Sequence, residues 1–234
     1  MNSFTSKPEK QPSRGFATIQ KQLITITPTL LISTAVALGG SVLTVLIAEM
    51  TDNPIWKLAK DPSEVMNFPS YIGMLSNWGV LLWMTAAAIC LFTAMIMRRS
   101  GDSSQARQFI FTSGILSLIL AVDDLYRLHD WLLPRMLHIS EFFFYLLYLV
   151  LIAGYLFLSL RQIHRYEYIL FWISTSLLAI SRRMFLPIPF LNAYMTTGDM
   201  LKYFGIVFWL AFFYRTASHE ISSLIQQPKP GATP

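Results

Sequence analysis

Six stretches of this chain stay apolar for about as long as a helix needs to cross a bilayer, and this pattern constrains the fold more than any other. They run over roughly 24–48, 72–97, 108–130, 141–160, 168–186 and 199–216. About 20 such residues cover about 30 Å of hydrocarbon as a helix. Backbone polar groups in lipid must be satisfied within their own segment, so each block is expected to be helical. A content of 54% hydrophobic and 13% charged residues, with mean hydropathy +0.48, exceeds what a soluble domain needs for its core. The expected fold class is all-α, a polytopic membrane helix bundle of about six transmembrane helices. Charges flank and interrupt the last two blocks, so five spans plus a re-entrant segment is the alternative.

Lysine and arginine set the orientation. With both termini cytoplasmic, that side holds Lys7, Lys10, Arg14, Lys21, Arg98, Arg99, Arg107, Arg161, Arg165, Arg215 and Lys229, while the outer loops hold Lys57, Lys60 and Arg135. Eleven against three is a firm bias under the positive-inside rule; a cell inner membrane is the expected location, although the bias suits an organellar membrane equally. The pI near 9.4 then reflects topology, and no nucleic-acid partner is expected. The domain plan is a disordered cytoplasmic tail over 1–22, a transmembrane helical domain over 23–217 and a cytoplasmic tail over 218–234. The first apolar block is too long for a signal-peptide core and reads as a retained anchor. Within it, Ser33, Ala37 and Ser41 with Gly39 and Gly40 make a small-residue face suited to close helix packing.

The run Phe109–Val122 contains no charge, yet it leads directly into Asp123-Asp124-Leu125-Tyr126-Arg127-Leu128-His129-Asp130. Charges at membrane depth are costly and require a partner, a ligand or a watery cavity. At 1.5 Å per residue, Asp123 and Asp124 lie roughly 8 Å outward of their helix centre, and Arg182 and Arg183 of the fifth block lie at about the same height. Lys202 falls at a similar level, with Asp199 a turn above it. Asn77 and Glu141 sit nearer the outer interface. Opposite charges from separate segments thus share one layer near the outer face.

If the third helix continues through residue 130, Asp123, Arg127 and Asp130 fall on one stripe. Asp123 is then expected to pair with Arg127, Asp124 to meet Arg182 or Arg183, and His129 to stand outside the site. Three functional readings follow. In the first, Arg182, Arg183 or Lys202 holds a small anionic solute or lipid headgroup while Asp123 or Asp124 exchanges a proton, as in an ion- or proton-linked carrier. In the second, the layer is the site of a membrane-embedded enzyme acting on lipid headgroups. In the third, it is an ion-pair staple in a structural or assembly subunit, with a homo-oligomer or another membrane protein as partner.

Asp123, Asp124, His129, Asp130, His138 and Glu141 are ligand types for zinc, iron or manganese, but no histidine or carboxylate lies three or four residues after Asp124. Cys90 is the only cysteine, which removes disulfide frameworks and cysteine-based zinc sites. No dinucleotide, phosphate-loop, haem or Gly-x-Ser-x-Gly motif occurs, so no cofactor or catalytic residue is assigned. The string Asp-Asp-Leu-x-x-Leu-His-Asp resembles helix ends in small uncharacterised multi-pass bacterial membrane proteins, often with Glu in the last position. The resemblance covers these eight residues and implies a membrane location without an activity.

Outside the layer, Ile55, Trp56, Leu58 and Ala59 are expected to form a short interfacial helix between Asn53-Pro54 and Asp61-Pro62. Trp131, followed by Pro134, marks a second surface segment.

Overall fold

The computed structural model describes residues 14–102, 104–181 and 195–226. All regular structure among them is helical. The chain forms two compact units, one ending at Ile72 and one beginning at Gly73.

The first unit contains α1 (Arg14–Met50), α2 (Ile55–Ala59) and α3 (Pro62–Met66). Its segment Ile26–Met50 is long and apolar enough to cross a membrane. α1 begins inside the stretch 1–22 that was expected to be disordered. Arg14 to Lys21 contains no proline, and the helix even passes through Pro28. The short interfacial helix is present as α2. Asp61 then caps α3, its carboxylate accepting from the Ser63 backbone N–H at 2.7 Å, with Pro62 in the first turn where a missing N–H costs nothing.

The second unit carries the site. It contains α4 (Met74–Arg99), α5 (Gln105–Tyr126), a π-helical turn (Leu128–Leu132), α6 (Leu133–Leu137), α7 (Glu141–Ile163), α8 (Tyr168–Ser181) and α9 (Met195–Gln226). α4, α5 and α7 are each long and apolar enough to cross a membrane, while α8 is a shorter apolar helix. Together with α1 that makes four candidate spans among the described residues. Ser104 starts α5 by accepting from the Arg107 N–H at 3.2 Å, and Ser140 starts α7 by accepting from the Phe142 N–H at 3.3 Å. Such caps satisfy donors that a helix start leaves unpaired. α9 runs well past residue 217 because Ser218–Gln226 contains no helix breaker.

Packing is tightest along α4–α5, α4–α9 and α8–α9. Small residues allow the first and last of these approaches. A Cβ at Gly114 would stand 2.8 Å from Leu91, and one at Gly205 would stand 2.8 Å from the Leu178 side chain and 3.2 Å from its backbone nitrogen. Between the helices lies an aromatic core of Trp83, Phe109, Phe171, Trp209, Phe212 and Phe213, all buried. Two buried hydrogen bonds cross it: Trp209 Nε1 donates to Ser117 Oγ at 2.9 Å, and Ser174 Oγ donates to the Gly205 carbonyl at 2.8 Å. α7 stands apart, with much of its surface exposed, including Phe157 at 83% and Leu158 at 80%. Exposed apolar area on that scale marks a lipid- or partner-facing surface.

The end of the second unit opposite Asp123 is tied by polar bonds. Gln162 Nε2 donates to Gln105 Oε1 at 3.1 Å, the Tyr166 hydroxyl donates to Glu220 at 2.7 Å, and Arg215 pairs with Glu167.

Candidate functional site

The site begins where α5 stops. Arg127 takes a left-handed conformation, φ 51° and ψ 49°, and its backbone N–H donates to the Asp123 carbonyl. The five-residue π-helical turn follows, with Trp131 and Leu132 N–H both donating to the Arg127 carbonyl. The third helix therefore ends at Tyr126, and the stripe expected from a helix reaching residue 130 does not form. The turn brings His129 back over Asp123 instead. The His129 backbone N–H donates to Asp123 Oδ1 at 3.0 Å, and its Nδ1 lies 2.6 Å from Asp123 Oδ2.

Both residues are buried, Asp123 at 4% and His129 at 6% exposure. The expectation that His129 stands outside the site is thus corrected, as is the pairing of Asp123 with Arg127. A carboxylate only accepts, so Nδ1 carries the proton in this pair, and the bond network fixes the tautomer. The Tyr145 ring meets the imidazole edge-on at 5.3 Å between centroids, and Tyr148 lies at 5.4 Å. Tyr148 also hydrogen-bonds Asp123.

Asp124 takes a different partner. Its Oδ1 receives the Lys202 ammonium in an ion pair joining α5 to α9. Its Oδ2 is buried without a hydrogen-bond partner among the described residues. Arg182 and Arg183, the partners expected for Asp124, lie outside the described residues. Arg127 instead pairs with Asp130 at 3.2 Å, its side chain 66% exposed. Glu141, Asn77 and Asp199 are exposed and do not line the cavity described below. Among the described residues, no three histidine, cysteine or acidic side chains stand close enough together to hold a metal ion.

Asp123, Asp124, His129 and Lys202 line a cavity of about 460 Å³. It lies among α5, α7, α8 and α9, with Trp83 contributed by α4. Its wall on α7 runs from Tyr145 to Leu156, roughly 16 Å at 1.5 Å per residue. The charged groups gather at the end near the π-helical turn. The other walls are predominantly aromatic and aliphatic, including Leu116, Leu120, Ile152, Phe171 and Trp209. Several lining donors are already engaged: Tyr155 with Ser113 at 2.7 Å, Thr175 with the Phe171 carbonyl at 3.0 Å, and Trp209 with Ser117. For the His129 side chain, the bond to Asp123 is the one found among the described residues.

The tyrosines of α7 were not among the residues expected to form the site. Their signal is in the sequence all the same: Tyr145, Tyr148 and Tyr155 recur at helical spacing and so share one face. Ser113 and Ser117 form a matching polar pair on α5.

No curated protein and no solved structure matches the chain. The family model described as "Domain of unknown function (DUF8692)" matches residues 29–216, most of the chain. The protein, with its candidate membrane-spanning helices and its Asp123–His129 turn, belongs to this family of unknown function.

Proposed function

We propose that the protein is a six-span inner-membrane protein with both termini cytoplasmic, and that its cavity binds a membrane-soluble amphiphile. The polar end of that molecule lies at Asp123, Asp124, His129 and Lys202, and its apolar body lies along α5, α7 and α8. The bias of basic residues toward one side supports the topology.

The cavity carries the binding reading. Its 460 Å³ falls within the range of about 300–1,000 Å³ typical of small-molecule sites. Apolar walls with a few convergent polar groups at one end suit an amphiphile better than a small hydrated ion. Lys202 is also already engaged by Asp124, which weakens the case for simple capture of an anionic solute.

The Asp123–His129 pair favours a second reading, in which the bound molecule is also turned over. A histidine oriented by a carboxylate is a common general base. In that reading Nε2 takes a proton from a hydroxyl or a water in the cavity.

Native mass spectrometry of protein released gently from detergent tests the proposal. A retained small amphiphile at one copy per chain is expected, and Leu120→Trp, which fills the cavity, is expected to displace it. Saturable binding that Leu120→Trp leaves unchanged would place the ligand elsewhere and contradict the proposal. Conversion of the retained molecule during incubation, lost in His129→Asn, would select the enzymatic reading.

A further inference from the structure

The chemistry at the charged end goes further and specifies the group that the occupant presents. We infer that the cavity takes an aliphatic alcohol, whose hydroxyl donates to Nε2 of His129 and accepts from the Lys202 ammonium. This inference rests on the amphiphile reading above and adds the class of head group.

Asp123 accepts twice from His129, from its backbone N–H at 3.0 Å and from Nδ1 at 2.6 Å. In the neutral form of the ring, with the Nδ1 proton directed at the carboxylate, the lone pair lies on Nε2. His129 lines the cavity, and Nε2 makes no hydrogen bond among the described residues. The site therefore offers an open acceptor, and a ligand that fills it must bring a donor.

The second group decides which donor. Lys202 lines the same end of the cavity and gives a hydrogen to Asp124 Oδ1. An ammonium has three donors and no acceptor, so it can still serve an oxygen on the ligand. An ammonium head has donors for His129 Nε2 and for the unpartnered Asp124 Oδ2, but it has no acceptor for Lys202 and sets its charge against that ammonium. A carboxylate head would suit Lys202 but would set its lone pairs against the acceptor on His129. A hydroxyl is donor and acceptor at once and meets both groups.

The apolar remainder fixes the body. Leu120, Ile152, Trp172 and Trp209 continue the cavity away from the charged end, where an aliphatic chain replaces water at no polar cost.

The test uses the intrinsic fluorescence of Trp83, Trp172 and Trp209, all of which line the cavity. The full-length protein in nanodiscs is titrated with bromododecanol, bromododecanoic acid, bromododecylamine and bromododecane, each brominated at the end of the chain so that the bromine quenches the tryptophans. The alcohol is expected to quench saturably with about tenfold or more tighter apparent affinity than the other three, the factor equivalent to about 1.4 kcal/mol. His129→Asn keeps an amide donor for Asp123 but removes the Nε2 acceptor, and it is expected to bring the alcohol to the level of bromododecane while leaving the melting temperature close to wild type.

Equal or tighter binding of the acid or the amine overturns the inference, as does an unchanged alcohol affinity in His129→Asn. Saturable quenching by bromododecane at the alcohol's strength also overturns it while leaving the amphiphile reading intact. Absence of saturable quenching by every probe overturns both. If His129→Asn fails to fold, the comparison of the four probes on the wild-type protein still decides.

Discussion

At the scale of single residues, two carboxylates adjacent in sequence have different tasks. Asp123 orients His129, and Asp124 neutralises Lys202. The Asp124–Lys202 pair is largely buried, so removing one partner strands the other charge, a change that costs about 3–5 kcal/mol in buried pairs. Lys202→Met is therefore expected to lower the melting temperature in detergent, and Asp124→Leu added to Lys202→Met is expected to recover most of the loss. A double variant no more stable than Lys202→Met would contradict this assignment.

The two aspartates and Lys202 were legible in the sequence because charges stand out in apolar helices and depth can be counted along them. The role of His129 was not. Nothing local marks Arg127 as a left-handed residue, since neither glycine nor asparagine occupies the position. A straight helix carried through residue 130 puts His129 on the wrong side.

At the scale of elements, helix existence was readable from hydropathy, while helix ends were set by contacts the sequence does not display. α9 outruns its apolar block as Glu220 bonds Tyr166, and α5 stops short because the π-helical turn takes over. The α8–α9 contact depends on Gly205. Alanine there would gain about 1 kcal/mol in helix propensity, but its Cβ would press on both the side chain and the backbone nitrogen of Leu178. Overpacking of this kind costs about 1–3 kcal/mol, so Gly205→Ala is expected to be destabilising in a thermal melt, and a stabilised variant would contradict the close approach.

The opposite end of the unit adds a pH dependence. Burial raises the Tyr166 phenol above its usual value, and the neighbouring Glu220 adds to the rise. The folded state thus holds that proton more tightly than the unfolded chain does. Its contribution to stability is complete below the unfolded value near 10 and falls as pH climbs above it. Melting curves between about pH 9 and 11 are expected to show a steeper alkaline loss in wild type than in Tyr166→Phe; parallel losses would contradict this.

At the scale of the whole molecule, the proposed function joins candidate membrane-spanning helices to a cavity with one polar end. The bias of basic residues toward one set of loops gives the proposed orientation a direct test. With Cys90 replaced by alanine, Ser70→Cys is expected to react with a membrane-impermeant maleimide in right-side-out vesicles, whereas Ser100→Cys is expected to stay unlabelled until the membrane is opened. The reverse pattern would invert the topology.

The all-helical class came through from composition and spacing. The cavity did not, because it is made by α7 standing off from α8, a matter of packing between distant segments. A density map of the protein purified from its native membrane would address the central claim most directly. The account predicts elongated density between α5, α7 and α8, reaching toward the charged end at His129 and Lys202. A cavity closed by repacked side chains, or one containing only isolated water peaks, would contradict it.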